Sequence, residues 1–257
     1  MTKLSTIANP SFFIRLSDKL LPWIAAASAI FFCVGLYLCF AVEPDARHGE
    51  TVRIMFVHVP MAWLAMFGYM MIAISSIGSL VFRHPLADVS AKVAAPIGAA
   101  FTFVALLTGA LWGSPMWGTY WRWDGRLTSM LILLFLYLGL IALWHAIEDY
   151  SRAGKAAAIL AIVGSVNIPI IHFSVHWWNT LHQKESAIQF KITEAGLQIS
   201  SGLAAPYQVT LWMMLLAFTC MFIWLHMKGM RAEILRRRVE TMTITRVSQA
   251  EQLKPAE

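Results

Sequence analysis

Six apolar stretches, each about twenty residues long or more, constrain this chain more than any other feature of its sequence. They cover residues 22–42, 57–82, 93–112, 127–147, 156–175 and 207–227. A helix of twenty residues rises about 30 Å, which matches the hydrocarbon core of a bilayer. Hydrophobic residues make up 58% of the chain and charged residues 13%, about half the charged share of a soluble domain. We therefore predict an all-α fold, a six-span transmembrane helical bundle, as a single integral membrane domain over residues 1–257.

Charge patterning adds one element and an orientation to this bundle. Residues 9–21 place apolar and charged side chains at near-helical spacing, which predicts a peripheral N-terminal amphipathic helix. With both termini in the cytoplasm, fourteen of the twenty lysines and arginines lie on the cytoplasmic side, as the positive-inside rule requires. The segments 43–57, 112–126 and 176–206 then share the opposite face. The same rule explains the basic tail after Lys228, which therefore does not indicate a nucleic-acid partner.

The segment 112–126, WGSPMWGTYWRWDGR, holds four of the chain's eleven tryptophans. Its glycines and its proline interrupt helical periodicity, so we predict a loop between spans three and four. An aromatic belt at the membrane surface is one interpretation of these rings, but a belt needs only one or two rings at each helix end. Five aromatic rings separated by glycines, with Arg122 and Arg126 among them, better fit a large flat ligand that carries carboxylates.

Two histidines are predicted to lie at the same membrane depth as this aromatic segment. His58 opens span two, five residues after Arg53, and His182 follows the outer end of span five. Two imidazoles can bind the iron of a porphyrin from opposite faces, while Arg53 and Arg126 pair with its propionates. His176 also lies on the outer face and competes with His182 as the second ligand.

Three motifs carry a resemblance to a known family: WGTYWRWD at 117–124, FVHVPMAW at 56–63 and VHWWNTLHQ at 175–183. They resemble the haem-handling WWD-domain proteins of bacterial cytochrome c maturation, in particular the six-span CcmC family, and the similarity runs over residues 20–230. The resemblance implies non-covalent haem b at the periplasmic face, its iron held by His58 and His182. It further implies that the periplasmic WWD loop 112–126 and its neighbours line the porphyrin with Trp112, Trp117, Trp121, Trp123, Asp124, Arg53 and Arg126.

The resemblance also implies a role and a set of partners. Members of this family deliver haem to the haem chaperone CcmE and work with the ABC transporter subunits CcmA and CcmB and the small membrane protein CcmD. The chain is then a haem-delivery protein of the bacterial inner membrane, not an enzyme. Asp124 either caps the loop or positions a partner residue, and the sequence leaves both roles open.

Two other classes of function compete with this interpretation. A membrane haem or quinone-linked electron-transfer protein usually holds haem between histidines of facing spans, and here it would need His172 within span five. A secondary transporter needs paired broken helices and ionisable groups at mid-membrane, but no acidic residue lies well inside any span. The larger haem synthetases share the aromatic loop but have more spans. Both alternatives therefore rank below haem delivery.

Overall fold

The computed structural model describes residues 9–46, 48–178, 180–182, 189–193, 196–200 and 203–252. Within these residues the chain forms seven α-helices: α1 (Pro10–Ala41), α2 (Met55–Phe82), α3 (Ala87–Trp117), α4 (Gly125–Ala146), α5 (Tyr150–Gly164), α6 (Asn167–Trp177) and α7 (Ala205–Gln252). A 3-10 helix, Glu50–Ile54, leads into α2. Six helical spans are long and apolar enough to cross a membrane, with α5 and α6 forming one of them together. The predicted all-α, six-span bundle is confirmed.

The long connection between α6 and α7 contains a feature that the sequence did not predict. Strands β1 (Gln189–Thr193) and β2 (Gly196–Ser200) pair antiparallel as a hairpin, with Gln189 opposite Ser200. The polar, irregular sequence of residues 176–206 predicts no such strands.

The centre of the bundle is built by α2 and α3, which pack along each other, while α1 lies along α7. In a bilayer, apolar burial does not drive helices together, so small residues and polar contacts set the packing. The hydroxyl of Tyr137 in α4 donates to the carbonyl of Ala65 in α2 at 2.7 Å. Gly98 in α3 makes room for that ring, because a Cβ there would lie 2.2 Å from Cζ of Tyr137.

Span five is interrupted at Ser165 and Val166, where α5 ends before α6 begins. Pro169, the third residue of α6, has no N–H for the carbonyl of Ser165, and its ring would collide with that carbonyl in a continuous helix. The N–H of Ile168 donates to Ser165 instead, at 3.0 Å. The predicted span 156–175 is therefore two helices in series.

The N-terminal amphipathic segment is helical, but it differs from the prediction of a separate peripheral helix. It continues through Pro22 into the first span, so that α1 is a single helix of 32 residues. Phe13 and Ile14 pack against a buried cluster that comprises Leu86, Val89, Met230 and Ile234. Asp18 pairs with Arg231 of α7. These contacts hold the segment against α7 and explain why it does not form a helix of its own.

The basic tail is helical as well, since α7 continues from the sixth span to Gln252. Its buried carboxylate, Glu233, pairs with Lys92 of α3 at 2.9 Å and with Arg236 and Arg237 of its own helix. Arg237 also reaches Asp88 at the start of α3, at 2.7 Å. The ion pairs of Glu233 and Arg237 therefore join α7 to α3.

Candidate functional site

The functional residues predicted from sequence converge on one end of the bundle, which we call the aromatic end. It comprises the first turn of α2, the last turns of α3, the start of α4 and residues 174–178 and 180–182 around the end of α6. The aromatic segment is shorter as a loop than predicted, because α3 continues through Trp112 to Trp117 and α4 begins at Gly125. Within the segment 112–126, irregular backbone is thus confined to residues 118–124.

Packing and backbone geometry explain where α3 ends. Gly113 lies within α3, and the ring of Trp117 packs over it, so that a Cβ there would lie 2.9 Å from Cε3 of that ring. Gly118 adopts the left-handed conformation with φ at 72°, and its N–H donates to the carbonyl of Ser114. A glycine in this conformation is a common way to end a helix. Only Gly118, and not Gly113, interrupts the helix as we had predicted.

His58, in the first turn of α2, is held against α3. Its Nδ1 lies 3.0 Å from the carbonyl oxygen of Ala105 and 3.1 Å from the hydroxyl of Thr108. A carbonyl oxygen can only accept, so Nδ1 carries a proton and donates it. Gly109 leaves space for the imidazole, since a Cβ there would lie 3.0 Å from Cε1 of His58. Within the described part of the chain, Nε2 of His58 has no hydrogen-bond partner.

Asp124 joins helix α4 to His182. Its Oδ1 accepts the N–H of Leu127 at 2.8 Å, which caps α4. Its Oδ2 accepts the hydroxyl of Thr180 at 2.7 Å and lies 3.1 Å from Nδ1 of His182. Capping and positioning were alternatives in the sequence, and this carboxylate does both. Thr180 was not anticipated, because only the folded loop brings its hydroxyl to the carboxylate.

The charge of Asp124 is stabilised by these same contacts. Burial alone would raise its pKa, but hydrogen bonds from His182, from the Leu127 N–H and from the Thr180 hydroxyl lower it to about 2. The carboxylate is therefore the acceptor for Nδ1–H of His182, and Nε2 has no hydrogen-bond partner among the described residues. Both histidines thus share one arrangement, with Nδ1 anchored to the protein and Nε2 available as a metal ligand.

Each of these histidines has a tryptophan of α3 as its neighbour. The ring of Trp112 lies 6.0 Å from that of His58, and the ring of Trp117 lies 5.0 Å from that of His182, both nearly edge to face. His182 and Arg126 both lie within electrostatic range of His58. The structure therefore brings six of the predicted site residues, Asp124 included, into one neighbourhood.

The other predicted tryptophans lie in the loop itself. The ring of Trp121 contacts that of Trp123 at 5.4 Å, and Trp123 is 75% exposed. Thr119 shapes this turn by donating its hydroxyl to the carbonyl of Trp121 at 3.0 Å. Trp123 therefore stands at the outer rim of the site.

The two predicted arginines differ in their surroundings. Arg53 donates to the carbonyl of Cys39 at 2.8 Å and to Glu50 at 2.6 Å, so it caps the end of α1. Nε of Arg126, in contrast, is buried without a hydrogen-bond partner in the described chain. The indole nitrogens of Trp112 and Trp121 share this state. Three buried donors without acceptors are unusual in a native protein, and they fit a ligand that carries carboxylates.

The remaining histidines that could compete as ligands differ in their surroundings. His172 is exposed on the outside of α6, where its only described contact is the ring of Phe173 at 4.8 Å, so it does not face the bundle as the electron-transfer alternative requires. His176 is likewise exposed. His48, which the sequence placed only in a polar connection, lies with its ring 5.7 Å from that of Trp112. The only signal for His48 in the sequence is Asp45, three residues earlier.

Comparison with known proteins adds an independent finding. The model of the family described as heme exporter protein C, CcmC, matches residues 3–245. Heme exporter protein C of Bradyrhizobium diazoefficiens is 54% identical over 242 residues, which cover 94% of this chain and 89% of the relative. The protein of that name from Escherichia coli K12 is 47% identical over 193 residues, 75% of this chain and 79% of the relative. That of Paracoccus denitrificans is 40% identical over 238 residues, 91% of this chain and 95% of the relative.

Proposed function

Because the chain belongs to the heme exporter protein C (CcmC) family, we propose that it binds haem b non-covalently at the aromatic end. From there it delivers haem to the chaperone CcmE during cytochrome c maturation. The observation that carries this proposal is the shared state of His58 and His182. Each imidazole has Nδ1 at a protein acceptor and leaves Nε2 without a partner in the described chain. Two such nitrogens match the two axial positions of a haem iron.

The surroundings of the two histidines support a porphyrin as the ligand. Trp112 and Trp117 lie beside the two imidazoles and offer apolar faces to a flat macrocycle. Trp121 and Trp123 extend this aromatic surface towards the rim. Arg126 provides a buried N–H without an acceptor, and we assign it to a haem propionate.

Orientation and partners belong to the same proposal. The excess of lysine and arginine at the other end of the bundle supports a periplasmic aromatic end and two cytoplasmic termini in the bacterial inner membrane. Tyr120 and Trp123 are 64% and 75% exposed at the rim, where CcmE can reach the haem edge. CcmA, CcmB and CcmD complete the set of partners that we propose. The chain binds and presents its cargo without catalysing a reaction of its own.

The electron-transfer alternative loses support from the position of His172. That function needs a histidine inside the bundle, opposite another span, whereas His172 is exposed on the outside of α6. A transporter that relies on paired broken helices is also less favoured, because one broken span, at Ser165 and Val166, is found among the described residues.

The visible spectrum of the protein tests the proposal. We would purify the wild type, His58→Ala and His182→Ala in detergent and record oxidised and reduced spectra. A Soret band with sharp reduced α and β bands in the wild type, weakened or shifted in both variants, is the expected result. Extraction with acid acetone should remove the haem, since it is not covalently attached.

His176→Ala is the matched control, because it removes an exposed histidine of the same end of the bundle without touching the two proposed ligands. Its spectrum should equal that of the wild type. Absence of haem from the wild type, even with the chaperone co-expressed, would refute haem delivery. Unchanged haem in both ligand variants would move the site to His48, His172 or His176.

A further inference from the structure

The connection between α1 and α2 folds back against the aromatic end. Asp45 and Gly49 exchange two backbone hydrogen bonds, at 2.7 and 3.3 Å, which close a tight turn. Gly49 has a φ of 54°, a conformation that glycine adopts without strain. This turn carries His48 to the ring of Trp112. The position of His48 is therefore set by backbone structure and not by a free loop.

Asp45 fixes the orientation of His48 as well. Its Oδ1 lies 2.7 Å from Nδ1 of the imidazole and accepts the backbone N–H of His48 at 2.8 Å. The side chain of His48 is only 18% exposed. Asp45 holds this imidazole much as Asp124 holds His182, and Nε2 again has no partner in the described residues.

The ring of Trp112 neighbours both this imidazole and that of the proposed iron ligand His58. Its ring is 5.7 Å from His48 and 6.0 Å from His58, so the two histidines are neighbours of one indole. The indole N–H is buried and has no acceptor in the described chain. An imidazole that shares one indole neighbour with an axial ligand is suited to the periphery of a porphyrin rather than to its iron.

The guanidinium of Arg53 already donates to protein groups, so a haem carboxylate in this part of the site needs another hydrogen-bond donor. Three nitrogens of its guanidinium contact Glu50 and the carbonyls of Cys39 and Val42. Arg53 is therefore used to join α1 to the 3-10 helix, whereas the ring of His48 lies beside that of Trp112. A haem propionate beside Trp112 would find His48 and the indole N–H as its donors.

We propose that His48 binds a haem propionate, with Asp45 behind it and the indole N–H of Trp112 as a second donor. This inference rests on the proposed function. Nε2–H of His48 donates to the propionate, while Oδ1 of Asp45 stays at Nδ1 and holds the ring in place. Trp112 then packs against the haem on the side where His48 lies.

A haem without free propionates provides the test. We would remove haem from the full-length protein in detergent and titrate it with haem or with haem dimethyl ester, whose carboxyl groups cannot accept a charge-assisted hydrogen bond as a carboxylate does. His48→Ala should weaken the binding of haem about tenfold or more and leave the binding of the ester unchanged. His48→Gln keeps a donor and should recover part of the affinity for haem alone. His176→Ala should change neither affinity.

The possible results separate this inference from the proposed function. Equal weakening of both ligands in His48→Ala would assign the residue a structural role and overturn the inference. No weakening of either ligand would overturn it too. In both cases, binding of haem to the wild type would leave the proposed function standing. Failure of the wild type to bind haem would refute both.

Discussion

Oδ2 of Asp124 lies 3.1 Å from Nδ1 of His182, while Oδ1 of the same carboxylate caps helix α4 through the N–H of Leu127. The start of a membrane-spanning helix therefore orients one of the two proposed iron ligands. The other, His58, donates to the neutral carbonyl of Ala105. A carboxylate partner makes an imidazole a more basic ligand than a carbonyl does, so the two ligands should differ in strength.

The first prediction concerns Asp124→Asn. Loss of the carboxylate makes Nε2 of His182 a weaker ligand for iron, so the affinity for haem should fall about 10- to 100-fold. A fall in the basicity of the ligand reduces the stabilisation of ferric iron more than that of ferrous iron. The reduction potential of the remaining haem should therefore rise. Haem titration and a spectroscopic redox titration measure the two effects. Asp149→Asn is the matched control, because Asp149 caps α5 in the same way without contacting a histidine. Equal effects of the two substitutions would contradict the positioning role.

The second prediction is a pH dependence of stability. The pKa of Asp124 lies at about 2 in the folded protein, below its ordinary value of 3.8, so its charge stabilises the fold above about pH 4. This stabilisation is lost as the pH falls from about 4 to about 2. The difference in thermal midpoint between the haem-free wild type and Asp124→Asn should therefore be constant near neutral pH and shrink within that window. A difference that shrinks only above pH 5 would assign the titration to another group.

Much of this arrangement was predictable from the sequence, because it rests on local patterns. Apolar length alone predicted six spans, and the motifs around His58, Asp124 and His182 identified the residues that meet at the aromatic end. Helix ends were less predictable. Gly113 and Pro115 both argue against a helix, yet α3 continues past them to Trp117, whose ring packs over Gly113.

The roles of single polar residues were the least predictable, because they depend on contacts between distant segments. The sequence predicted that Arg53 binds a propionate, but its guanidinium donates to the carbonyls of Cys39 and Val42 at the end of α1. His48 carried no signal of its own beyond Asp45. Thr180 became visible only once the loop brought its hydroxyl to Asp124. Each of these contacts joins residues from different segments or depends on how a loop folds, which periodicity and composition do not report.

The third prediction separates the two arginines. Arg53→Gln should lower the thermal stability of the haem-free protein, because it removes the contacts that join the end of α1 to Glu50. Arg126→Gln should leave that stability nearly unchanged, since its buried Nε has no partner to lose in the described chain, but it should weaken haem binding. Thermal unfolding and haem titration of both variants measure the contrast. The reverse pattern would return the propionate to Arg53.

The fourth prediction uses the space around His58. A Cβ at Gly109 would lie 3.0 Å from Cε1 of the imidazole, so Gly109→Ala should push the ring and weaken haem binding several-fold. Alanine favours helix over glycine by about 1 kcal/mol, so the haem-free protein should not be destabilised. Gly78→Ala is the control, because its Cβ would make only ordinary contact with Ala87, at 3.6 Å. Unchanged haem binding in Gly109→Ala would remove His58 from the site.

The fifth prediction tests the packing of the bundle itself. Gly98→Ala would place a Cβ 2.2 Å from Cζ of the buried Tyr137, whose hydroxyl is fixed by the carbonyl of Ala65. The ring cannot move away without losing that hydrogen bond, so we expect a destabilisation of about 2 kcal/mol or more. Gly139→Ala would meet only a methyl group of Leu160, at 3.2 Å, which can rotate aside. Thermal unfolding in detergent should therefore show a clear loss for Gly98→Ala and little change for Gly139→Ala. Equal stability of the two variants would mean that α3 and α4 are not held together at this contact.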